Sequence, residues 1–175
     1  MIEIRIHGRG GQGAVTASEI LAIAAFKDGK YSQAFPKFGP ERTGAPVEAY
    51  CRIDEKFINL RTEVYNPNYL IVLDDSLADV TNGLGKNGVI IINSASSRKI
   101  NNYKTYSIDA TKIAIETFGR NIVNTAMLGA FVKATKLLSL KSIEEAIKEK
   151  FPSALAEKNI TAIRKAYEVC KWQKN

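Results

Sequence analysis

The chain has 175 residues, of which 45% are hydrophobic and 25% charged, so it is long enough for one globular domain or two small ones. The formal net charge of +7 is uneven, since residues 1–119 contribute +1 and residues 120–175 contribute +6. No stretch approaches the roughly 18 apolar residues of a membrane-spanning helix, and no run of five like charges marks a nucleic-acid-binding tail. We therefore expect a cytoplasmic protein with no membrane or nucleic-acid partner, and nucleic-acid binding is kept only as a disfavoured alternative.

The first sixteen residues pass from a strand pattern to a glycine-rich loop and then to a helix pattern. Apolar and polar side chains alternate from Ile2 to His7, which predicts a strand that ends near His7. Four glycines follow, at Gly8, Gly10, Gly11 and Gly13. Residues 14–26 contain neither glycine nor proline and are rich in alanine, which predicts a helix. A glycine loop that leads into a helix N-terminus is suited to binding an anion.

Residues 31–60 contain strand patterns on both sides of a proline-rich loop. Residues 31–35 are prone to form a strand, and Pro36 closes it. Three prolines and two glycines in residues 36–46 predict an irregular, shaped loop. Residues 47–53 alternate again, and residues 57–60 follow after a turn. We therefore expect an antiparallel strand pair around residues 46–60.

Two further apolar runs, at residues 69–74 and 88–93, are typical of buried strands, and residues 103–108 are a third strand candidate. The first ends in Asp74-Asp75-Ser76, at the strand edge where α/β proteins place functional residues. The alternative, which we favour at this stage, is that Asp75 or Ser76 only caps a helix over residues 77–82.

The remaining chain is predicted to be helical. Asp109 is placed to cap a helix from Ala110, and residues 124–138 are apolar around most of a helix. The spacing Ser142-Ile-Glu-Glu145 matches a capping box, and a basic helix with one apolar stripe ends the chain. Strands that alternate with helices predict an α/β, Rossmann-like fold: three layers, with a mostly parallel sheet between helices on both faces.

The titratable sulfur and imidazole groups give no sign of a metal site. Cys51 and Cys170 are far apart in the sequence, so neither zinc nor an iron–sulfur cluster is predicted, and both are expected to be buried. His7 is the single histidine, and its place at the end of a strand favours a structural hydrogen bond over a role as a proton shuttle.

Residues 8–13 match the dinucleotide-binding pattern Gly-x-Gly-x-x-Gly in a strand-to-helix context. The pattern also requires an acidic residue at the end of the second strand, where this chain has Phe35-Pro36. NAD is therefore not expected. Arg9 and Gln12 add a cation and an amide that can hold a phosphate or a partner chain. Two other hypotheses stay open: an independent nucleotide-binding protein and a basic nucleic-acid module.

Two motifs give the chain a family resemblance. Gly8-Arg-Gly-Gly-Gln-Gly13, followed by Ala34-Phe-Pro-x-Phe-Gly-x-Glu-Arg-x-Gly-Ala-Pro-Val47, resembles the gamma subunit of pyruvate:ferredoxin oxidoreductase, or pyruvate synthase, in the 2-oxoacid:ferredoxin oxidoreductase superfamily. The resemblance runs along essentially the whole chain and implies one gamma-type domain over residues 1–175. Subunits for 2-ketoisovalerate or 2-oxoglutarate are the alternatives within the superfamily.

The resemblance implies an enzyme whose central chemistry lies in other subunits. The family converts pyruvate and coenzyme A to acetyl-CoA and carbon dioxide with thiamine diphosphate, Mg²⁺ and [4Fe–4S] clusters, passes the electrons to ferredoxin, and can run in reverse. The implied partners are alpha, beta and delta subunits, and ferredoxin through the complex. No cofactor and no catalytic residue is expected in this chain, which is predicted to be inactive alone.

The implied site residues lie in the two motifs. They are expected to contact coenzyme A or another subunit, and they are Gly8, Arg9, Gly10, Gly11, Gln12, Gly13, Glu41 and Arg42. Pro36, Pro40 and Pro46 stiffen the loop that carries Glu41 and Arg42, which suits a fixed contact. The alternative is a surface ion pair between Glu41 and Arg42, which would contribute little.

Overall fold

The computed structural model describes residues 1–37, 43–77 and 80–172. Within these ranges one sheet of seven strands combines with five α-helices. The strands are β1 (Ile2–Arg9), β2 (Tyr31–Pro36), β3 (Pro46–Asp54), β4 (Tyr69–Val72), β5 (Val89–Asn93), β6 (Lys104–Ile108) and β7 (Lys171–Trp172). The helices are α1 (Ala14–Lys27), α2 (Ala110–Phe118), α3 (Asn124–Thr135), α4 (Leu140–Lys150) and α5 (Ser153–Val169).

The strands lie in the order β2-β3-β1-β4-β5-β6-β7. Strands β1, β4, β5 and β6 pair in parallel, whereas β3 is antiparallel to both β1 and β2, and β7 is antiparallel to β6. Strand β2 therefore runs in the same direction as β1, so only β3 and β7 are reversed. The predicted α/β class with a mostly parallel sheet is confirmed.

The antiparallel part of the sheet has a different partner from the one predicted. Residues 57–60 are irregular, so they form no strand with β3. Strand β3 instead pairs with β1 along its full length, from Ile2 opposite Ile53 to Arg9 opposite Pro46, and with β2 on its other side. Both of its edges are thus occupied, which leaves no place for a further strand.

All five helices pack on one face of the sheet. Their buried side chains form one core cluster with Ile4 and Ile6 of β1 and with Ala49, Cys51 and Ile53 of β3. The prediction of helices on both faces is therefore wrong. On the opposite face, Leu70, Val72, Ile90 and Ile92 form a smaller cluster that is covered by side chains from loops and from a short 3-10 helix (Asp75–Leu77).

Two buried arginines attach these covering loops to the helix-free face. Fully buried Arg52 pairs with Glu3 at 2.8 Å and donates to the carbonyl oxygens of Thr62 at 2.8 Å and Glu63 at 3.1 Å. Arg5 donates to the carbonyl oxygens of Val80 at 2.9 Å and Asn82 at 2.5 Å. The loops are therefore held by main-chain acceptors and guanidinium donors, without strand pairing of their own.

Several predicted helix boundaries are corrected. The helix predicted over residues 77–82 is not formed by the described residues of that range. A single 3-10 turn, Asp75–Leu77, follows β4 instead. Helix α4, which was assigned to the Ser142 capping box, begins earlier, at Leu140, because the Ser139 hydroxyl accepts a hydrogen bond from the Ser142 amide. Asp109 caps α2 as predicted, through the Lys112 amide at 2.8 Å. Strand β7 was not predicted.

Two negative findings apply to the part of the chain that the structure describes. No helix there has the length and apolar character required to cross a membrane. No group of three or more His, Cys, Asp or Glu side chains there is arranged to hold a metal ion. Cys51 and Cys170 are buried as predicted, and burial raises the pKa of their thiols to about 12 and about 11, so neither forms a thiolate near neutral pH.

Candidate functional site

The glycine loop connects the end of β1 to the start of α1. Gly11 and Gly13 have φ angles of 94° and 79°, in the left-handed region that favours glycine. Gly13 is the N-cap of α1, no side chain caps this helix, and its first turn contains no acidic residue. The positive end of the helix dipole is thus left without a negative partner in this turn, as the predicted anion site requires.

Arg9 and Gln12, the two polar residues of the loop, are both held by Asp74. The Asp74 carboxylate accepts from Arg9 Nε at 3.1 Å and from Gln12 Nε2 at 3.2 Å. Arg9 also donates to the Ser76 hydroxyl at 2.7 Å, and its own amide donates to Gln12 Oε1 at 2.7 Å. These bonds fix the shape of the loop against the carboxyl end of β4.

The structure brings the two sequence motifs together. The Gly10 amide donates to the Ala45 carbonyl at 2.8 Å, and the Gly44 amide donates to the Gly10 carbonyl at 3.2 Å. Arg9 Nη1 also donates to the Gly44 carbonyl, at 3.1 Å. Glu41 and Arg42 lie outside the described residues, but the segment that follows them is joined directly to the glycine loop. The described parts of the two motifs therefore form one surface feature.

The electrostatic state of Asp74 follows from these contacts. Partial burial alone would raise the pKa of its carboxyl group. Hydrogen bonds from Ser76 and Gln12, together with the positive charge of Arg9, outweigh burial and lower the pKa below its usual value. Asp74 is therefore an anion at neutral pH, and the guanidinium of Arg9 already has three acceptors within the chain.

A cavity of about 610 Å³ opens beside the glycine loop, at the carboxyl edge of the parallel strands. Its volume lies in the range of ligand-binding pockets, and its position is the usual one in open α/β sheets. Gln12 lines it from the loop side, and residues after β4, β5 and β6 line the rest. Among the described residues, the lining includes the carboxylates of Asp74, Asp75, Asp109 and Glu116 but only one lysine, Lys112.

This charge distribution divides the site into two parts. The carboxylates, with amide and hydroxyl groups such as Asn93 and Thr111, suit the hydroxyl and amide groups of a ligand. Phosphate groups are instead suited to the acid-free first turn of α1. Asn93 is itself held in place, since it donates to the Leu73 carbonyl and to the Thr111 hydroxyl, each at 3.0 Å.

Sequence reasoning missed the contributions of Asp74 and Asn93. Both follow an apolar strand, and this was the available signal, because the carboxyl ends of parallel strands meet at one sheet edge. The sequence pattern favours the simpler interpretation that Asp75 or Ser76 caps a helix. The structure shows instead that Ser76 donates to Asp74 and that Asp75 accepts from Ser94 at 3.1 Å and Arg98 at 3.2 Å.

His7 lies on the helix-free face, away from the cavity lining. It is buried, and its Nε2 atom accepts a hydrogen bond from Arg5 Nε at 2.9 Å. Burial, assisted by the positive charges of Arg5 and Lys37, lowers its pKa to about 4 despite the opposing charge of Glu48. The imidazole is therefore neutral at physiological pH and acts as a hydrogen-bond acceptor, in agreement with the predicted structural role.

The fold and the joined motifs define an α/β protein whose two motifs meet at the carboxyl edge of the sheet, as the family resemblance requires. The family model for pyruvate ferredoxin/flavodoxin oxidoreductase matches residues 3–169. The chain therefore belongs to this family, and its resemblance to the gamma subunits is confirmed.

Relatives and a solved structure agree over nearly the whole chain. A pyruvate synthase subunit PorC from Methanothermobacter thermautotrophicus is 57% identical over 96% of this chain and 95% of its own. A common gamma subunit of pyruvate and ketoisovalerate oxidoreductases from Pyrococcus abyssi is 54% identical over 96% of both chains. The crystal structure of a pyruvate oxidoreductase subunit from Thermotoga maritima superposes with a TM-score of 0.87, at 40% identity, covering 99% of this chain and 98% of that one.

Proposed function

We propose that this chain is the gamma subunit of a pyruvate:ferredoxin oxidoreductase. The complex would oxidise pyruvate with coenzyme A to acetyl-CoA and carbon dioxide and pass electrons to ferredoxin, or run in reverse. The observation that carries the proposal is the union of the two family motifs at one edge of the sheet, through the Gly10–Ala45 and Arg9–Gly44 hydrogen bonds. The relatives named above for pyruvate support this choice of substrate.

In this proposal the redox chemistry takes place in alpha, beta and delta subunits. The described residues of this chain do not fit a [4Fe–4S] cluster, because the two cysteines are buried as protonated thiols. Thiamine diphosphate, Mg²⁺ and the clusters are therefore assigned to the partners, and the isolated chain is expected to have no turnover.

The role of this chain is to receive coenzyme A or to position the subunit that does. The first turn of α1 would attract the phosphates, while Arg9 and Gln12, held by Asp74, keep the loop in one shape. Glu41 and Arg42 would contribute from the second motif. Because the guanidinium of Arg9 is already engaged, its expected contribution is to shape the loop more than to neutralise a phosphate.

Assembly and turnover test the proposal. The chain should co-purify with its sister subunits as a brown, cluster-containing complex, and omitting it should abolish coenzyme-A-dependent reduction of ferredoxin. Full activity of a complex that lacks this chain would contradict the proposal. Saturable nucleotide binding by the isolated chain would instead favour an independent nucleotide-binding protein.

Thr16→Glu separates a coenzyme contact from a subunit contact. Thr16 lies half-buried in the first turn of α1, where an acidic side chain favours the helix but repels a phosphate. The variant should raise the KM for coenzyme A about tenfold with kcat and the KM for pyruvate unchanged, which corresponds to about 1.4 kcal/mol. Thr16→Gln is the neutral control. An unchanged KM for coenzyme A would leave only the subunit contact.

A second substrate has a specific observation in its favour. The relative from Pyrococcus abyssi is named as a subunit common to pyruvate and ketoisovalerate oxidoreductases, and it is 54% identical to this chain. The alternative is therefore that this chain also serves a complex for 2-ketoisovalerate. Assaying the purified complex with both acids decides between the two, because turnover of pyruvate alone would exclude the second substrate for that assembly.

A further inference from the structure

The edge of the sheet at β2 is unpaired and carries an apolar surface on both of its sides. Within the described residues, β2 pairs only with β3, so its other edge presents main-chain donors and acceptors. Soluble proteins usually protect an edge strand with charged side chains or proline. In β2 only Pro36, at its end, is of this kind, so the edge from Tyr31 to Phe35 is unprotected. An unprotected edge of this kind is a template for a strand from another chain.

Three aromatic side chains surround this edge. Phe26, at the end of α1, is 75% exposed on the helix side, and Phe57 is 76% exposed on the other side. Tyr31, which is 50% exposed, contacts Phe57 edge to face with a ring-centroid distance of 6.1 Å. Together these rings present on the order of 400 Å² of surface, about half of what one partner contributes to a standard interface.

A groove of about 580 Å³ continues the surface on the helix side. It lies along β2 at Ser32 and is lined by Ala22, Ile23 and Phe26 of α1, with Lys27 and Glu149 at its rim. A strand added to β2 would direct alternate side chains to opposite faces of the sheet. One set would enter this groove, and the other would pack on Tyr31 and Phe57.

The charges around the edge indicate the chemistry of the partner. Lys27 pairs with Glu149 at 2.8 Å, and Lys30 pairs with Glu55 at 2.6 Å. These flanking charges are thus neutralised within the chain. A strongly acidic or basic partner would gain nothing from them, whereas an uncharged, apolar segment fits the surface.

A second copy of this chain fits less well. Two β2 strands that paired along their full length about a twofold axis would place Tyr31 opposite Pro36, since the contact is reciprocal. The two Tyr31 side chains would then lie roughly 17 Å apart along the strands, at about 3.3 Å per residue. The aromatic surfaces would not meet, so the arrangement favours a different chain.

We propose that this surface, defined by β2 with Phe26, Phe57 and the groove along Ser32, docks an extended apolar segment of a sister subunit by strand addition. This inference rests on the proposed function. Main-chain hydrogen bonds to β2 give the affinity, and the groove and the rings select the side chains of the incoming strand. The surface lies on the other side of β3 from β1, the strand that leads into the glycine loop.

The test uses the variant Phe26→Glu/Phe57→Glu, with Val169→Glu as the matched control, since Val169 is 56% exposed at the end of α5. Sister subunits carrying an affinity tag capture each variant. Wild type and Val169→Glu should be retained equally, and the double variant should bind at least about thirtyfold more weakly, as for the loss of a strong interface contact. Equal retention of the double variant would overturn the inference. Thermal unfolding of the isolated variants verifies that they fold.

Hydrogen exchange and sedimentation complete the test. Those amides of residues 31–35 that point away from β3 should exchange at least tenfold more slowly in the complex than in the isolated chain, and unchanged exchange would contradict strand addition. The isolated chain should sediment as a monomer. A dimer that the double substitution dissociates would assign the surface to a second copy instead. If the sister subunits fail to retain even the wild type, the proposed function fails with this inference, whereas retention of every variant refutes the docking surface alone.

Discussion

Asp74→Ala is predicted to release the glycine loop from the sheet. The substitution removes the acceptor for Arg9, Gln12 and Ser76. A hydrogen bond to a charged group contributes about 1.5–3 kcal/mol when it is well shielded. The side chains of Asp74 and Arg9 are 22% and 36% exposed, so solvent weakens the pair. Arg9 also keeps its bonds to Ser76 and Gly44. We therefore expect a net loss of about 2–3 kcal/mol from the free energy of unfolding.

Urea denaturation of the isolated chain measures this loss. A change of about 2–3 kcal/mol should lower the urea midpoint at an unchanged slope and reduce the Tm by about 4–12 °C for a chain of this size. Asp75→Ala is the matched control, because its carboxylate pairs with Arg98 at an exposed position and should contribute less than about 1 kcal/mol. Equal stability of Asp74→Ala and wild type at pH 7 would refute the assignment of Asp74 as the acceptor that fixes the loop.

The pH dependence gives an independent check on Asp74. Its pKa in the folded state lies below the value in the unfolded chain, which is about 3.9. The stability that it contributes is therefore fully present above that value and is lost as the pH falls through the folded pKa. The difference between wild type and Asp74→Ala should be constant above about pH 5 and shrink below about pH 4. A difference that persists undiminished at pH 2 would contradict the ionic origin of the effect.

Two further predictions concern groups near the loop. The NMR shifts of the single imidazole, His7, should be constant from pH 8 to about 5.5 and should titrate near 4, and a midpoint above 6 would exclude this. Wild type should also lose more stability than His7→Gln between pH 6.5 and 4, because only the unfolded imidazole binds a proton in that range. Gly13→Ala should lower the free energy of unfolding by about 2 kcal/mol or more, and Gly11→Ala should lower it by about 1 kcal/mol. Both residues have positive φ, but only at Gly13 would the new Cβ collide with Asn124. Equal losses of stability in urea denaturation would contradict this.

The elements with a strong local pattern could be predicted from the sequence. Residues 2–7 alternate clearly and form β1, and residues 69–72 and 89–93 are apolar runs that form β4 and β5. Residues 57–60 show that such a pattern is insufficient. They include Phe57, Ile58 and Leu60, but β1 and β2 already occupy both edges of the strand expected to pair with them. Strand pairing depends on which edges remain free, and this is a property of the whole sheet.

The candidate site was predictable only in its local parts. The glycine loop was visible as a pattern, whereas the Arg9–Asp74 bond joins residues 65 positions apart. The start of α4 illustrates the same limit. The sequence pattern predicts Ser142 as the cap, whereas Ser139 is the N-cap of α4. Its position is fixed by Asp28, at the end of α1, which accepts from the Ser139 amide at 2.8 Å. Contacts between distant segments decide such cases, and one sequence does not contain them explicitly.

The arginine attachment of the helix-free face has an evolutionary consequence. Arg5 and Arg52 donate mainly to carbonyl oxygens of the covering loops, at Val80, Asn82, Thr62 and Glu63. Every residue type supplies a carbonyl oxygen, so these anchors place no demand on the loop side chains. Substitutions can accumulate on this outer layer while its path over the sheet is retained. The fold can thereby acquire new surface chemistry without rebuilding the core that supports it.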